Sequence, residues 1–455
     1  MLQTGGCWRK RGWHLLVAST WENVLSFTLC GRVLLPWLYS DRDIGGAVMR
    51  PKLLFLALLI LSSFTAQGQH QFNLLHAFGG GKDGAGVWDS VAFDSRGNAY
   101  GTTSGGGDYG HGIVFQLRLT SKGKWSETVI HSFPDSPEDG QGPLGGVVFG
   151  ADGTFYGTTE GGGGGYEYGT VYEMARTPQG WKETVLHRFG RRDQAGSPWG
   201  NLVMDEQRNL FGAAYAAFEL SPGPKGWTES ILHVFNGDNG DGLGAVAGPI
   251  RDTAGNLYGT TMYGGGGPIC ADGCGTVWEL EPSANDDASG GKAWKEVILH
   301  RFGFSADDGA FPSLGQLAMD GDGNTYGAAG GGKLPYGVVF RLARVTDGSS
   351  VKWRETILYN FTGGADGNGP GGGVILDNAG NLYGTTIAGG NGNGVVFELS
   401  PQTDGSWQYT LLHTFDGSDG SQPDANLTLG PDGKLYGTTA TGGANGGGVV
   451  FQLTP

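Results

Sequence analysis

The feature that most restricts the fold of this chain is a unit that recurs seven times along it. Each copy centres on an aromatic residue followed by glycine and two small residues, and successive copies lie about 47 to 68 residues apart. The aromatic residues are Tyr100, Tyr156, Phe211, Tyr258, Tyr326, Tyr383 and Tyr436. Such a period is typical of propellers and solenoids, in which each repeat buries its apolar faces against its neighbours.

Each copy contains four segments that we predict to be β-strands. The first ends in Asp-x-x-Gly-Asn, which suits a tight turn, and the second is the aromatic-glycine segment. The third is rich in β-branched and aromatic residues, and the fourth has the pattern Trp-x-Glu-Thr-x-Leu-His-x-Phe, as in residues 181–189. Because large residues occupy both faces of the fourth strand, we expect each sheet to lie between two others, as propeller blades do.

The two ends of the repeated region indicate a closed ring. The fourth-strand pattern occurs six times in full, and its Leu-His-x-Phe half occurs once more at residues 75–78, before the first complete copy. The last copy stops at Pro455, directly after its third strand. If the early segment completes the last copy, no sheet edge stays open, whereas a solenoid would leave two open edges. We therefore predict an all-β, seven-bladed β-propeller whose N-terminal strand closes the last blade.

The repeat also resembles a known family. Gly-Asn-Leu-Tyr-Gly-Thr-Thr at 380–386, Gly-Val-Val-Phe-Glu-Leu at 394–399 and Glu-Thr-Val-Leu-His-Arg-Phe at 183–189 are similar to the GloVer tandem repeat of secreted bacterial proteins. The resemblance extends over nearly all of residues 69–455. It implies propeller-like repeats and a secreted protein, and it transfers no activity and no catalytic residue to this chain.

The N-terminal region is predicted to be a targeting segment. Residues 49–68 combine Arg50 and Lys52 with an apolar run and a small-residue end, as a secretory signal peptide does. The run is short for a membrane anchor, which is the alternative interpretation. Because a signal peptide begins a chain, we interpret residues 1–48 as a spurious upstream extension; if translated, they form an unexplained tail. The mature protein would then be residues 69–455, outside the cell or at its surface.

The charge of the predicted mature chain limits its partners. Residues 69–455 contain 22 basic and 41 acidic residues, which gives a formal charge of -19. Such a surface repels nucleic acid and anionic membranes. We expect a monomer that binds an extracellular glycan or protein, without nucleic acid and without membrane insertion.

Only two cysteines, Cys270 and Cys274, lie in the predicted mature chain. In an oxidising compartment they are expected to form a local disulfide that shapes one loop. A metal site is the less favoured interpretation, because such sites need more ligands than this pair offers.

One face of the predicted ring is the candidate functional face. Blade connections alternate between the two faces, so the loops between blades should share a face with the loops between second and third strands. Residues that break the repeat in these loops are the candidates for ligand binding, because packing does not require them in every blade. They are Tyr109, His111, Glu167, Tyr168, Tyr263, Asp272 and Tyr336. Blade 3 almost lacks this loop, which predicts a lopsided rim with a groove. Plain solvated loops are the alternative.

Residues that recur in every blade are interpreted as structural. The histidine of Leu-His-x-Phe is replaced by Tyr359 in one copy, so it is expected to pack between blades. Turn chemistry explains the Asp-Gly pairs of the inter-blade loops without an ion. Asp238 and Asp241 lie in the densest such loop and are the calcium candidates; no other cofactor is expected.

Three functional hypotheses follow. The first is a secreted, non-catalytic binding or scaffold protein, because no constellation of nucleophile, base and orienting group is visible. The alternative is an extracellular hydrolase or lyase acting on polysaccharide, with Glu160 or Glu167 and His111 as acid and base. The third is a purely structural envelope protein.

Overall fold

The fold is a seven-bladed β-propeller, as predicted. A computed structural model describes residues 70–455 except 137, 164–167, 191–194, 287–291, 306, 313–314 and 349. These residues form seven antiparallel sheets, each pairing four blade strands in the order first, second, third, fourth. We number the blades 1 to 7 by their first strands. The predicted signal peptide and the upstream extension lie outside the described residues.

The strand bounds show very short first strands and long third and fourth strands. Blades 1 and 2 consist of Ala92–Phe93, Ala99–Thr103, Ile113–Leu119 and Trp125–Ser132, then Val148–Phe149, Phe155–Thr159, Thr170–Thr177 and Gly180–Arg188. Blades 3 and 4 consist of Val203–Met204, Leu210–Ala213, Ala216–Gly223 and Gly226–Val234, then Ile250–Arg251, Leu257–Thr261, Thr276–Asp286 and Lys292–Arg301. Blades 5 and 6 consist of Ala318–Met319, Thr325–Gly331, Val338–Asp347 and Ser350–Asn360, then Val374–Leu376, Leu382–Thr386, Val395–Pro401 and Trp407–Thr414. Blade 7 consists of Thr428–Leu429, Leu435–Thr439, Val449–Leu453 and Phe72–Ala77.

A few short elements lie in the loops. Gly140–Gln141 pairs with Gly161–Gly162, and Gly242–Leu243 pairs with Tyr263–Gly264. Gly309–Pro312 adds a fifth strand to blade 5, and Asp238–Gly240 is a single 3-10 turn. In the described part of the chain no helix has the length and apolar composition needed to span a membrane.

The N-terminal strand closes the ring. Phe72–Ala77 pairs antiparallel with Val449–Leu453, with His76 opposite Val450 and Leu74 opposite Phe451. Phe78 follows this strand, is fully buried, and packs in one cluster with Phe115 of blade 1. The closure predicted from the two incomplete copies is therefore confirmed.

The hydrophobic core is divided among the blade interfaces. Seven clusters of buried residues lie one at each interface, and each takes side chains from two neighbouring blades. Each blade therefore buries both faces, which explains why its strands carry large residues on both sides.

Packing within a blade explains the glycine of the aromatic-glycine motif. A Cβ atom on Gly101 or Gly384 would come 2.6 Å from the ring of the third-strand residue opposite it, closer than any carbon contact allows. All seven blades repeat this contact. The pairs are Gly101 with Phe115, Gly157 with Tyr172, Gly212 with Phe218, Gly259 with Trp278, Gly327 with Phe340, Gly384 with Phe397, and Gly437 with Phe451. The motif thus makes room for an aromatic side chain in each interface core.

The threonines after this glycine tie neighbouring blades together. In blades 1, 2, 6 and 7 the first hydroxyl donates a hydrogen bond to a carbonyl just before the first strand of the next blade. Thr102 reaches the Gly145 carbonyl at 2.9 Å, and Thr438 reaches the Asp89 carbonyl at 3.0 Å across the ring closure. The motif therefore positions the chain segments that enter the centre of the ring.

At two blade interfaces, between blades 3 and 4 and between blades 4 and 5, the repeated histidine meets two acidic side chains. Its partners are the aspartate of the following inter-blade loop and the glutamate of the next blade's fourth strand. In the tighter of these two clusters, His300 Nε2 lies 3.0 Å from Asp308 Oδ1 and 3.6 Å from Glu355 Oε1. The sequence predicts the packing of the histidine, but turn chemistry alone does not predict that the Asp-Gly aspartate completes the cluster.

One interface replaces both the histidine and the glutamate by tyrosine. Tyr359 and Tyr409 stack with ring centroids 4.7 Å apart, and Tyr359 donates a hydrogen bond of 3.0 Å to Asp366. The Tyr409 hydroxyl donates to the Asp366 backbone carbonyl at 2.8 Å. The paired replacement indicates that these positions act together as a contact between blades.

These contacts predict that stability depends on pH. Burial, reinforced by Asp83 and Asp139 respectively, raises the pKa of Glu127 and of Glu183 to about 7. His76 and His131 face the same two clusters, and burial lowers the pKa of each imidazole; Arg188 also faces Glu183 and opposes its shift. A glutamate with a raised pKa binds its proton more tightly in the folded state. Its stabilising contribution is complete below the ordinary pKa of 4.5 and is lost as the pH rises through about 7.

The lowered pKa values of His76 and His131 act in the opposite sense, because an imidazole that is neutral in the folded state favours folding more as the pH rises through about 6.5. The glutamate shifts are the larger, so we expect the unfolding temperature to fall as the pH is raised from about 5 to about 8. The double variant Glu127→Gln, Glu183→Gln should fall less steeply, by about 2 °C or more over this range. Thermal unfolding followed by circular dichroism at several pH values measures both slopes. Glu206→Gln, on an exposed turn, serves as the control and should keep the original slope. Identical slopes in the double variant and the unchanged chain would contradict the prediction.

Candidate functional site

The inter-blade loops and the loops between second and third strands lie on one face of the ring. Backbone pairing joins the two kinds of loop, as between Ala85 and Gly105 and between Asn368 and Ala388. The predicted sharing of a face is thus confirmed, and we call it the loop face. Sixteen large apolar side chains are exposed in the described chain, and eleven of them lie in the loops of the loop face. These are Trp88, Tyr109, Trp199, Tyr215, Tyr263, Ile269, Phe304, Phe311, Leu334, Tyr336 and Ile387.

A cavity of about 460 Å³ opens on the loop face at the ring axis. Residues that precede the first strands of six blades line it, which places it at the centre. Its lining residues are Trp88, Asp89, Ser104, Gly142, Leu144, Glu160, Trp199, Gly200, Asn201, Val246, Gly315, Gln316, Asp424, Ala425 and Asn426. We call this cavity the channel mouth.

Small and polar residues alternate around the channel mouth. Blades 2, 4 and 6 bring glycines to the position two residues before the first strand, whereas blades 3, 5 and 7 bring Asn201, Gln316 and Asn426 there. Asn201 Nδ2 lies 3.2 Å from Asp89 Oδ1, and Asn426 Nδ2 lies 3.3 Å from the Gln316 carbonyl. These bonds join blades that are not neighbours, so the polar lining is held in one arrangement.

Two carboxylates in the channel mouth differ in how they are held. Burial raises the pKa of Asp89, while hydrogen bonds from Ser90, Gly146 and Asn201 partly oppose that shift. Burial also raises the pKa of Asp424. Among the described residues the Asp424 carboxylate has no hydrogen-bond partner, so nothing compensates its lost hydration.

A second cavity, of about 440 Å³, extends from the channel mouth over blade 3. The second and third strands of that blade are joined by Ala214 and Tyr215 alone, so no tall loop blocks the path outward. The structure therefore has the groove that the short loop predicts, and we call it the blade 3 groove. It is lined by Glu160, Ser197, Trp199, Ala214, Tyr215, Leu243, Gly244, Ala245, Val246, Met262 and Tyr263.

Aromatic side chains mark this continuous path. Trp199 lines both cavities, and it is 39% exposed. Tyr215 is 62% exposed at the low rim, and Tyr263 packs edge-on against Phe311 with ring centroids 5.8 Å apart. At the inner end, the Trp88 indole donates a hydrogen bond of 3.0 Å to Ser104 Oγ. Such partly exposed, supported rings provide flat apolar surfaces for a ligand.

The predicted ligand-binding residues are distributed unevenly. Tyr263 lines the blade 3 groove, whereas Tyr109 is exposed on the rim outside both cavities. Tyr168 is half-buried against the core between blades 2 and 3. The Tyr336 ring packs close to Gly363, and Asp272 is exposed in the disulfide loop, where its carbonyl accepts a hydrogen bond from Gly264. Glu167 lies outside the described residues.

Sequence reasoning missed the central residues of the site. Trp88, Asp89, Trp199, Tyr215 and Asp424 were not among the candidates, although each except Tyr215 lies three or four residues before a first strand. The signal was available, because the position shared by Trp88, Trp199 and Asp424 holds leucine, valine or glycine in blades 2, 4 and 6, and the position of Asp89 holds glycine or alanine in the other blades. The repeat-breaking residues predicted to bind ligand all lie in the loops between second and third strands.

The enzyme hypothesis depends on an acid and a base at contact distance. Glu160 and His111 line one cleft of about 350 Å³, but no hydrogen bond joins them in the described part of the chain. His111 Nε2 instead lies 3.6 Å from Asp135 Oδ1, and that aspartate is exposed. The geometry of the described residues therefore does not pair these two groups for proton transfer.

Two interface clusters have the donor types of a metal site. His233, Asp241 and Glu296 form one, and His300, Asp308 and Glu355 form the other; in each, the donor atoms lie within 4.8 Å of one another. The same contact recurs with tyrosine at another interface, which an ion does not explain. Asp241 bonds to its own loop at the Asn236 amide and faces His233 rather than Asp238. Calcium binding by Asp238 and Asp241 stays a prediction.

The two cysteines form the expected disulfide. Cys270 and Cys274 are bonded with their Cα atoms 5.3 Å apart, and Cys274 is fully buried in the core between blades 4 and 5. The bridge therefore fixes the loop of blade 4 beside the blade 3 groove, which agrees with the predicted role of shaping one loop.

Comparison with known proteins identifies a family of repeats. The profile of the family described as the Gloeobacter/Verrucomicrobia repeat matches residues 60–267 and 271–455. No curated protein sequence matches the chain.

Two solved structures show a distant similarity to this chain. A luciferin-regenerating enzyme is 16% identical with a TM-score of 0.41, over 66% of this chain and 87% of its own. An α-L-arabinanase of Penicillium chrysogenum complexed with arabinobiose is 12% identical with a TM-score of 0.40, over 68% of this chain and 91% of its own. Likenesses this distant transfer neither activity nor site residues.

Proposed function

This chain belongs to the Gloeobacter/Verrucomicrobia repeat family, and from that premise we propose that it is an extracellular, non-catalytic binding protein for a glycan. The glycan would lie in the channel mouth and extend along the blade 3 groove. The observation that carries the proposal is the continuity of these two cavities, which share Glu160, Trp199 and Val246.

The shape of the site suits a chain of several sugar units. The two cavities have volumes of about 460 and 440 Å³, each within the range of small-molecule sites. The short Ala214–Tyr215 connection leaves the outer end open, so a polymer can enter from the side. A closed pocket would admit only a terminal unit.

The chemistry of the lining suits sugars as well. Trp88, Trp199, Tyr215 and Tyr263 offer rings on which the apolar faces of sugars stack. Carboxylates and side-chain amides between them accept and donate hydrogen bonds to hydroxyl groups. A protein ligand would need a larger flat apolar surface, whereas the site is concave.

The extracellular location is part of the proposal. The formal charge of -19 on residues 69–455 and the Cys270–Cys274 disulfide support it. The segment 49–68 supports it by its sequence pattern.

We expect Trp199→Ala to weaken glycan binding by about 2 kcal/mol, or roughly thirtyfold. Trp199 lines both cavities, so its loss removes stacking area from the channel mouth and the groove together. A glycan array probed with residues 69–455 identifies a bound oligosaccharide, and calorimetry then gives its dissociation constant. Tyr215→Ala should weaken binding of long oligosaccharides more than that of short ones.

Two exposed side chains outside the channel mouth and the blade 3 groove provide controls. Leu119 is 53% exposed at the end of a third strand, away from the loop face, and Tyr109 is 58% exposed on the rim. Leu119→Ala and Tyr109→Ala should leave the dissociation constant unchanged. Loss of binding with Tyr109→Ala but not with Trp199→Ala would move the site to the rim and reject the proposal. Release of new reducing ends from the bound glycan would favour the hydrolase alternative.

A further inference from the structure

We propose that the glycan bound at the channel mouth is cationic, carrying free amino groups as in a de-N-acetylated amino sugar. This inference deepens the proposed function and rests on it. It is carried by the charge of the lining, by one carboxylate that has no partner, and by the tryptophans beside it.

The lining has only one sign of charge. Three carboxylates, those of Asp89, Glu160 and Asp424, line the channel mouth, and Glu160 also lines the groove. Among the described lining residues of both cavities there is no lysine, arginine or histidine. An anionic glycan such as a polyuronate would therefore be repelled, while a cationic one would be attracted.

Asp424 is the residue that points most directly to a cation. It takes the position that Val246 occupies in blade 4 and Gly371 occupies in blade 6. Its Oδ1 lies beside Gly371 of the neighbouring blade. Its carboxylate has neither a hydrogen bond nor an ion pair with any described residue, although it is half-buried. Placing a charge there without a partner costs free energy, which an ammonium group on a ligand would recover.

Asp89 is a second, fixed acceptor in the same cavity. Its Oδ1 accepts hydrogen bonds from the Ser90 amide and from Asn201 Nδ2, so blades 1 and 3 hold it from two sides. A carboxylate held in this way needs no rearrangement when an ammonium group binds, which favours affinity.

The tryptophans complement a positive charge. Trp88 and Trp199 line the cavity with the acids and are 40% and 39% exposed. Indole rings attract ammonium groups through their electron-rich faces, more strongly than other aromatic rings do. Carboxylates and indoles together therefore recognise an amine, and the neighbouring groove adds stacking for the rest of the sugar chain.

The test compares two oligosaccharides that differ only in the amine. Residues 69–455 are titrated by calorimetry with hexamers of β-1,4-linked glucosamine and of β-1,4-linked N-acetylglucosamine, in EDTA at a pH where the amine is protonated. We expect the glucosamine hexamer to bind about tenfold more tightly, and added salt to reduce that advantage.

Asp424→Asn should lower the affinity for the glucosamine hexamer about tenfold and the affinity for the N-acetylated hexamer by much less, because the asparagine oxygen still accepts hydrogen bonds from hydroxyl groups. Glu206→Gln is the matched control, because it removes one negative charge from an exposed turn outside both cavities. It should change neither affinity. Trp199→Ala should weaken the binding of both hexamers. Its effect therefore reports stacking, whereas the effect of Asp424→Asn reports charge.

The outcomes distinguish this inference from the function on which it rests. Equal affinity for the two hexamers, both weakened by Trp199→Ala, would overturn the cationic preference and leave the binding function standing. Failure of every glycan to bind would overturn the proposed function itself. Spermidine is the third titrant: tighter binding than the glucosamine hexamer would overturn the assignment to a sugar in favour of a free amine.

Discussion

A chain that lacks residues 70–79 is expected to lose the folded ring. The deletion removes the fourth strand of blade 7, and with it the pairing of Phe72–Ala77 against Val449–Leu453. It also removes Phe78, which is fully buried between blades 7 and 1. Truncating one such phenylalanine costs about 3–5 kcal/mol, a large part of the roughly 5–15 kcal/mol that a domain has. Aggregation or protease sensitivity during expression, compared with the 69–455 chain, measures the effect.

A circular permutant shows whether closure alone is responsible. The Thr454 amide donates to the Gln71 carbonyl at 3.1 Å, so a short linker can join Pro455 to His70. New ends are placed between Gly81 and Lys82, both exposed. This permutant keeps every blade strand and should fold with an unfolding temperature close to that of the 69–455 chain. A stable, folded deletion variant would show that the ring does not need its N-terminal strand.

Gly384→Val is expected to destabilise the protein by about 3 kcal/mol or more. The smallest side chain at this position already places its Cβ 2.6 Å from the ring of Phe397. Phe397 is fully buried in the cluster between blades 5 and 6, so it has no room to move aside. Denaturant unfolding measures the free energy of unfolding directly.

Gly321→Ala is the matched control for this substitution. Gly321 lies in an exposed turn of blade 5, where an added Cβ meets nothing within 4 Å. Alanine there should change the free energy of unfolding by less than about 0.5 kcal/mol. The double variant Gly384→Val, Phe397→Leu should recover part of the stability that Gly384→Val loses, because leucine vacates part of the space that the phenylalanine ring fills. No recovery would mean that backbone strain, not ring contact, is the cause.

The architecture could be predicted from the sequence because the same four-strand pattern recurs seven times along the chain. Each copy specifies its own strands and turns. The number of copies gives the number of blades, and the incomplete copy at residues 75–78 indicates that the ring closes. The aromatic-glycine motif also has a single physical cause, the ring packed over Gly384 and its equivalents. Each copy gave independent support to the same interpretation, so small irregularities did not matter.

The site was harder to predict because it consists of departures from the repeat. Asp89 and Asp424 each occur in one blade and tryptophan occurs in two, and these residues meet only because the ring brings the starts of distant blades together. Their departure from the repeat is visible in the sequence, but nothing local shows that a residue before a first strand lines a central cavity. The groove over blade 3 was predictable because the absence of a loop is itself a local feature. The Asp241 contact with His233 was missed because it joins a turn to the preceding strand across an interface.

The strand Phe72–Ala77 also has a consequence for how the protein is made. Asn73 and its partner Gln452 are separated by 379 positions. The first blade strand to be synthesised can therefore form its pairing only after nearly the whole chain has been made. Contacts of such long range form slowly, and the chain stays incompletely paired until synthesis ends. A chain exported in an unfolded state would therefore complete its fold only after the whole of it has crossed the membrane, and prematurely terminated products would stay open to proteolysis.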